Sequence, residues 1–304
     1  MHRWNASAGD EGKKILEFIA EKFPEEDKKG VKALFDEGAR VNGRAAKASG
    51  CINDGDIIEL YTENTRYAYQ TEVIYEDDNF FIVNKEQNIS CYTYKGDIMP
   101  ALYEYAERHM KEKGEYNIDS FAIPYICHGI DRHTGGLVMI AKDEIIYNLI
   151  TDALKERRIK KLYKCIVAGR PEHEQEVLHD FIISKGKFDK LTISKTTMRG
   201  TVPVCIKYRV IAGNGEFSLL EVEMVTDHIA QICAQLALHG NPVLGDDVYG
   251  NARLNSKYGV KLPALWAYRL DFDVGKNNPI EYLDNTFIET ENIGLPYIPG
   301  LGQD

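Results

Sequence analysis

The sequence has no apolar run long enough to cross a bilayer. Its longest are of the order of Phe80-Phe81-Ile82-Val83, against the roughly 20 residues that a spanning helix needs. It has no apolar signal stretch near its start, and early Asp and Glu do not suit a transit peptide, so a cytoplasmic protein is expected. It has no paired cysteines. The six, at 51, 91, 127, 165, 205 and 233, are widely spread without a C-x-x-C pair, which argues against a disulfide framework or a zinc site and for buried, reduced thiols. It has no excess of positive charge. Lys and Arg number 37 against 47 Asp and Glu, a net charge of −10. That counts against a broad nucleic-acid surface but leaves room for a local basic strip on an acidic body. Internal repeats and low-complexity tracts are also missing.

What is present is ordinary for a globular chain: 304 residues, 44% hydrophobic and 28% charged. The length suggests one large domain with a small one. Residues 1–62 read as the small one. Ile15, Leu16, Phe18, Ile19 and Phe23 form a helical stripe that Pro24 ends. A second helix carries Val31, Leu34 and Phe35 on one face, with Gly38 at its end. Asn42-Gly43 marks a tight hairpin, and a strand follows at Ile57 to Tyr61. Polar residues 63–71 read as a linker, and residues 72–304 as the larger domain.

In that larger domain Phe80–Asn84 reads as a strand and Met99 to Lys113 as a helix opened by Pro100. Asp143 can cap a helix running to about Arg158. Strands are expected at 161–168 and 218–226, and a helix from Asp227 to His239 with Ile229, Ile232, Cys233 and Leu236 on one face. The segment Ile126-Cys127-His128-Gly129-Ile130-Asp131-Arg132-His133-Thr134-Gly135-Gly136-Leu137-Val138 stands out. A charged Asp-Arg pair interrupts an apolar approach, and a Thr-Gly-Gly turn leads into an apolar strand. A loop residue held between strands is well placed for chemistry. His128, Asp131 and His133 fit no standard metal-ligand spacing, and no metal is expected.

This segment resembles the H-R-L-D-R-x-T-S-G-L signature of the RluA-type RNA pseudouridine synthases. Other segments agree in order. Phe80-Phe81-Ile82-Val83-Asn84-Lys85 resembles the strand before the family's N-K-P-x-G loop. Lys161 to Gly169 resembles its K-x-Y-x-A-x-V-x-G strand. Gly240-Asn241-Pro242-Val243-Leu244-Gly245-Asp246 with Tyr249-Gly250 resembles its G-H-P-x-x-G-D-x-x-Y-G stretch, and Leu265 to Leu270 its L-x-A-Y-x-L strand. The likeness is to the branch that modifies large-subunit ribosomal RNA. Residues 13–62 resemble the small RNA-binding domain of ribosomal protein S-four.

The resemblance implies an α+β fold. A mixed, largely antiparallel central sheet has flanking helices, and a small two-helix and hairpin domain precedes it. It implies isomerisation of uridine to pseudouridine in structured RNA, ribosomal RNA above all, without cofactor or metal; the sequence leaves the oligomeric state open, with a monomer favoured. A uridine would be flipped into a pocket. Asp131 would act on it as nucleophile or base, and the uracil would detach, rotate and rejoin through carbon. Tyr163 would stack on the base and serve proton transfer. Arg132, Lys85 and Gln231 would bind substrate. Lys28, Lys29, Lys32, Arg40, Arg44 and Lys47 would meet RNA in the small domain.

The chain departs from the pattern where charge is concerned. The family's T-G-R-x-H-Q-x-R reads Thr226-Asp227-His228-Ile229-Ala230-Gln231-Ile232-Cys233, and its arginine two places before the aspartate is Gly129. The resemblance implies that the arginine ending that motif, here Cys233, would pair with Asp131 and that the one at Gly129 would help displace the base; a pocketed carboxylate without a cation is harder to keep ionised. Glu86 and Asn88 stand in place of the proline and glycine after Lys85. Arg132, Lys85 and Lys164 are candidates to supply the lost charge. The alternatives are a non-catalytic descendant that binds RNA or the ribosome, and a protein-interaction module that has left RNA.

Overall fold

The computed structural model describes residues 2–60, 71–93, 101–185 and 190–301. All of the expected linker except Thr71 lies in, or next to, the gap at 61–70 and outside the described residues. The chain forms two compact units, Met1–Gln70 with Tyr92–Tyr105, and Thr71–Cys91 with Ala106–Asp304.

The first unit holds strands β1 (His2–Asn5), β2 (Ala39–Val41), β3 (Arg44–Ala45) and β4 (Ile57–Leu60) in the order β1-β4-β2-β3. Helices α1 (Ile15–Lys22) and α2 (Lys28–Gly38) accompany them. Asp27 starts α2 by accepting from the N–H groups of Lys29 and Gly30 at 2.9 and 2.8 Å. Asn42 and Gly43 both adopt positive φ, 52° and 74°, and turn β2 into β3. That is the backbone an Asn-Gly hairpin requires. Phe18, Ile19, Ile52, Ile58 and Leu60 form the centre of this unit's core.

The second unit is built on eleven described strands. In chain order they are β5 (Glu72–Glu76), β6 (Phe80–Lys85), β7 (Tyr125–Ile126), β8 (Gly135–Ala141), β9 (Ile159–Ala168), β10 (Gln175–Lys185), β11 (Leu191–Ser194), β12 (Val202–Gly213), β13 (Phe217–Met224), β14 (Leu265–Phe272) and β15 (Thr286–Glu289). The path runs β11-β10-β12-β13-β9-β14-β8-β6-β5, with β15 on β14 and β7 on β8. Its one parallel pairing joins β8 to β14, Gly135 opposite Trp266 and Gly136 opposite Ala267. The other pairings are antiparallel, so the expected mixed, largely antiparallel α+β sheet is the one found. Every residue of β6 and β8 is buried, as two-sided burial of a central strand demands.

Four helices complete the description: α3 (Leu102–Glu112), α4 (Glu144–Lys155), α5 (Gln231–Leu238) and α6 (Ala252–Tyr258). Asp143 caps α4 as expected, accepting from the Ile146 N–H at 2.9 Å. Ile146, Ile150 and Ala153 face a core shared with Phe80, Leu137, Met139 and Leu270. Helix α5 begins four residues later than the sequence pattern implies. Ala230 sits in the left-handed region at φ 61°, in a turn closed by the Gln231 N–H donating to the His228 carbonyl at 3.1 Å, and Ile229 is exposed rather than on the helical stripe.

Candidate active site

Asp131 lies in the loop that enters β8, half-buried. One of its carboxylate oxygens accepts from the His133 N–H at 2.7 Å, and its carbonyl accepts from the Thr134 N–H at 3.0 Å. These local bonds hold the turn that the Thr-Gly-Gly sequence continues. Gly135 and Gly136 are required there by close approach. A Cβ on Gly135 would stand 2.2 Å from the Trp266 ring, and one on Gly136 2.1 Å from the Ala267 carbonyl oxygen. The indole N–H of Trp266 donates to the Asn84 side-chain oxygen at 3.0 Å. The β8–β14 crossing is therefore clamped from β6.

The loop after β6 clamps the same turn from the other side. Asn88 has φ 70°, so an asparagine adopts the left-handed conformation that the family's pattern gives to glycine. Its N–H donates to the Arg132 carbonyl at 2.8 Å, and its own carbonyl accepts from the Arg132 Nε at 3.2 Å. Arg132 thus braces the loop.

Lys85 is fully buried at the end of β6. Its ammonium donates to the carbonyls of Glu86 at 2.9 Å, Ile89 at 2.8 Å and Arg132 at 3.4 Å. Burial pulls its pKa down to about 8, opposed by the Cys91 thiol, the Asp131 carboxylate and Glu86. Of the three candidates for the missing cation, Lys85 lies closely enough for Asp131 to act on its titration. Lys164 does not share the buried face of β9, and its Nζ sits 4.6 Å over the Tyr268 ring. Lys85 makes its bonds to backbone carbonyls inside the fold, so its effect on a substrate is through its charge.

Strand β9 buries alternate residues Ile159, Lys161, Tyr163 and Cys165 on one face. Tyr163 is almost wholly buried, and among the described residues its hydroxyl has no hydrogen-bond partner. Burial drives its pKa far up, with Asp227 and Cys91 adding in the same direction. It is a neutral phenol, able to donate a proton or a hydrogen bond.

Cys233 occupies the place of the lost arginine and is buried in α5. Burial holds its thiol well above the usual range. Asp246 acts in the same sense, as do Cys165 and Asp131. The position is therefore within electrostatic reach of Asp131, but brings no charge. Gly129 is exposed, and a Cβ there would meet only the Cys91 sulfur, at 4.0 Å. Cys91, which no sequence signal had marked, donates to the Ile130 carbonyl at 3.6 Å and joins Lys85 and Asp131 in one electrostatic group.

Gln231 is placed differently from its expected role in substrate binding. It is fully buried, and its amide is occupied: it accepts from Thr226 at 3.0 Å and donates to the Cys205 carbonyl at 3.1 Å and to Gln235 at 2.9 Å. It fastens α5 to β12. In the first unit Lys28, Lys29 and Lys32 are exposed on α2, and Arg44 and Lys47 are exposed beyond the hairpin. Arg40 is buried instead, donating to the Gly43 carbonyl at 2.9 Å. Among the described residues no three His, Cys, Asp or Glu converge as a metal site would need. No described helix is long and apolar enough to cross a membrane.

A sheet of this topology with a loop carboxylate beside a buried lysine defines an α+β fold with a built polar centre. Residues 79–238 match the family described as RNA pseudouridylate synthase, and the chain belongs to that family. It is 28% identical over 207 residues to the ribosomal large subunit pseudouridine synthase D of Borreliella burgdorferi, a match covering 68% of this chain and 62% of that protein. It is 27% identical over 249 residues to the ribosomal large subunit pseudouridine synthase C of Rickettsia bellii, covering 75% and 79%. Among solved structures it is similar to the human RNA pseudouridylate synthase domain containing 4 protein. That likeness has a TM-score of 0.55 at 17% identity and covers 69% of this chain and 90% of the other, a likeness of fold.

Proposed function

We propose that this chain isomerises uridine to pseudouridine in structured RNA, ribosomal RNA foremost, with Asp131 as the catalytic carboxylate. Family membership supports the reaction class, and the names of the relatives favour ribosomal RNA. The observation that carries activity in this chain is Lys85. It is a buried ammonium, bonded to the Arg132 carbonyl next to Asp131 and within electrostatic reach of that carboxylate, where the expected arginine is Cys233. A charge fixed in a water-poor site and not reoriented during reaction is worth several kcal/mol of barrier, about 3 in mutational experience.

In this reading the uridine leaves its stack and enters beside Asp131. The carboxylate acts on the nucleoside, the bond from ribose to nitrogen breaks, the uracil turns, and the bond to carbon forms. The isomerisation gains and loses no atoms overall, so no co-reactant is called for. Tyr163, neutral and without a partner for its hydroxyl among the described residues, lies against the base and donates to it. The first unit, with its two helices and hairpin, serves as the RNA-binding domain that resembles ribosomal protein S-four. It meets RNA through Lys28, Lys29, Lys32, Arg44 and Lys47.

The test is to incubate the purified chain with ribosomal RNA from cells that lack it and map pseudouridine. A new site should appear with wild type and be absent with Asp131→Ala of unchanged fold. A site made equally well by Asp131→Ala, or none made by wild type, would overturn the proposal.

A further inference from the structure

A cavity of about 420 Å³ opens beside α4 and the start of β9. Lys155, Arg157, Lys160 and Lys161 line it, against the single carboxylate of Asp227. On a chain of net charge −10 such a local excess of cations is notable. Arg157 and Lys160 are exposed, whereas Lys161 is buried and paired with Asp227.

Behind this wall His128 is enclosed, and Lys161 at the wall has donors to spare. His128 is more than nine-tenths buried, and its Nε2 accepts from the Met139 N–H at 3.3 Å. The ring proton must then sit on Nδ1. Nδ1 is buried and has no hydrogen-bond partner. Burial pushes the His128 pKa down to about 3, with Lys161 acting in the same sense and Asp227 opposing. The ring is neutral, so it adds no charge to the cavity wall. The Lys161 ammonium has three N–H donors, and among the described residues Asp227 takes its one hydrogen bond. Buried donors left without acceptors call for a water or an ion.

The cavity lies next to the proposed reaction centre. Lys161 and Tyr163 are alternate residues on one face of β9, about 7 Å apart along the strand. Asp227 bears on the titration of Tyr163 itself. A strand of RNA with its base against Tyr163 would bring a neighbouring backbone phosphate within reach.

We infer that this cavity binds a backbone phosphate of the substrate RNA next to the target uridine. Arg157, Lys160 and Lys161 supply the charge. The site rests on the RNA reading above and deepens it. Phosphate contacts fix register and orientation rather than sequence, so the cavity would position the strand. Asp227, where the family's pattern has glycine, weakens this site by neutralising Lys161.

The inference is tested by binding of the full chain to a short fluorescent oligouridylate over a salt series. Arg157→Gln with Lys160→Gln, both surface changes, should weaken binding about tenfold at low salt. The slope of log affinity against log salt should drop by about 0.7 for the one phosphate lost. Asp227→Asn should strengthen binding several-fold, an effect opposite to that of breaking a structural ion pair. Arg253→Gln with Lys276→Gln, exposed cations remote in sequence from the cavity, should leave the slope unchanged. An unchanged slope for the cavity variant overturns the inference and leaves the donors to water. Inorganic phosphate bound by wild type and lost in the cavity variant, with the RNA slope unchanged, overturns it in favour of a free-phosphate site. If mapped RNA still gains pseudouridine while the slope is unchanged, only this inference falls. If wild type binds no oligouridylate and modifies no RNA, the functional reading falls with it.

Discussion

At the scale of single residues, Lys85 links stability and activity in opposite directions. Its ammonium loses its proton near pH 8 when folded, below the ordinary value of 10.5, because burial disfavours the charge. Between those values the unfolded chain binds more protons than the folded one. The Lys85 contribution to stability therefore rises with pH across that window, by about 3 kcal/mol in all. Its charge beside Asp131 is meanwhile lost. Pseudouridine formation should fall as pH passes 8, while urea unfolding between pH 8 and 10 shows a stabilisation that Lys85→Met lacks. Activity that is flat to pH 10 would dissociate Lys85 from the chemistry. Two of the three replaced arginine positions, Gly129 and Cys233, behave differently from each other. Gly129 is open, so Gly129→Arg should leave the thermal midpoint nearly unchanged, within about 0.5 kcal/mol. Cys233 is enclosed, so Cys233→Arg should cost about 1–3 kcal/mol by overpacking, although Asp131 and Asp246 are there to receive a guanidinium. Equal midpoints for the two variants would contradict this difference in packing.

At the scale of elements, much was legible because the periodicities are strong. The Asp143 cap, the buried run of β6 and the Asn42-Gly43 hairpin all follow from short-range rules. What was not legible depends on backbone angles and partners distant in sequence. Nothing in the residues 227–230 announces that Ala230 takes φ 61° and delays α5. Gln231 looks like a motif residue, yet its amide is spent on Cys205, 26 positions away. Arg40 sits among basic residues in sequence but turns inward to Gly43. The Thr-Gly-Gly turn is a case where the departure has a partner. Gly135 stands where the pattern has serine, and the Trp266 ring fills the space a side chain would need. Gly135→Ser should therefore lower stability by more than 2 kcal/mol, roughly the scale of a core clash. Trp266→His should relieve the clash in the double variant. Additive losses, measured by urea unfolding of both singles and the double, would refute this coupling.

At the scale of the whole molecule, the question is how an acidic chain engages RNA at all. Bulk charge opposes it, so binding has to come from places where cations are concentrated. In the first unit Lys28, Lys29 and Lys32 stand exposed on α2, which Asp27 starts, and Asp36 follows on the same helix. If this face meets RNA, replacing the three lysines by glutamine should weaken binding to ribosomal RNA at every sequence alike. The salt slope should fall by about 0.7 to 0.9 for each phosphate released. Turnover of saturating RNA should be little changed, because α2 holds none of the reacting groups near Asp131. The comparison separates positioning from chemistry: Asp131→Ala removes product without altering the slope, and the α2 variant alters the slope without removing product. An α2 variant with wild-type affinity and slope would assign this helix to the packing of its own unit and place the RNA contacts on the second unit.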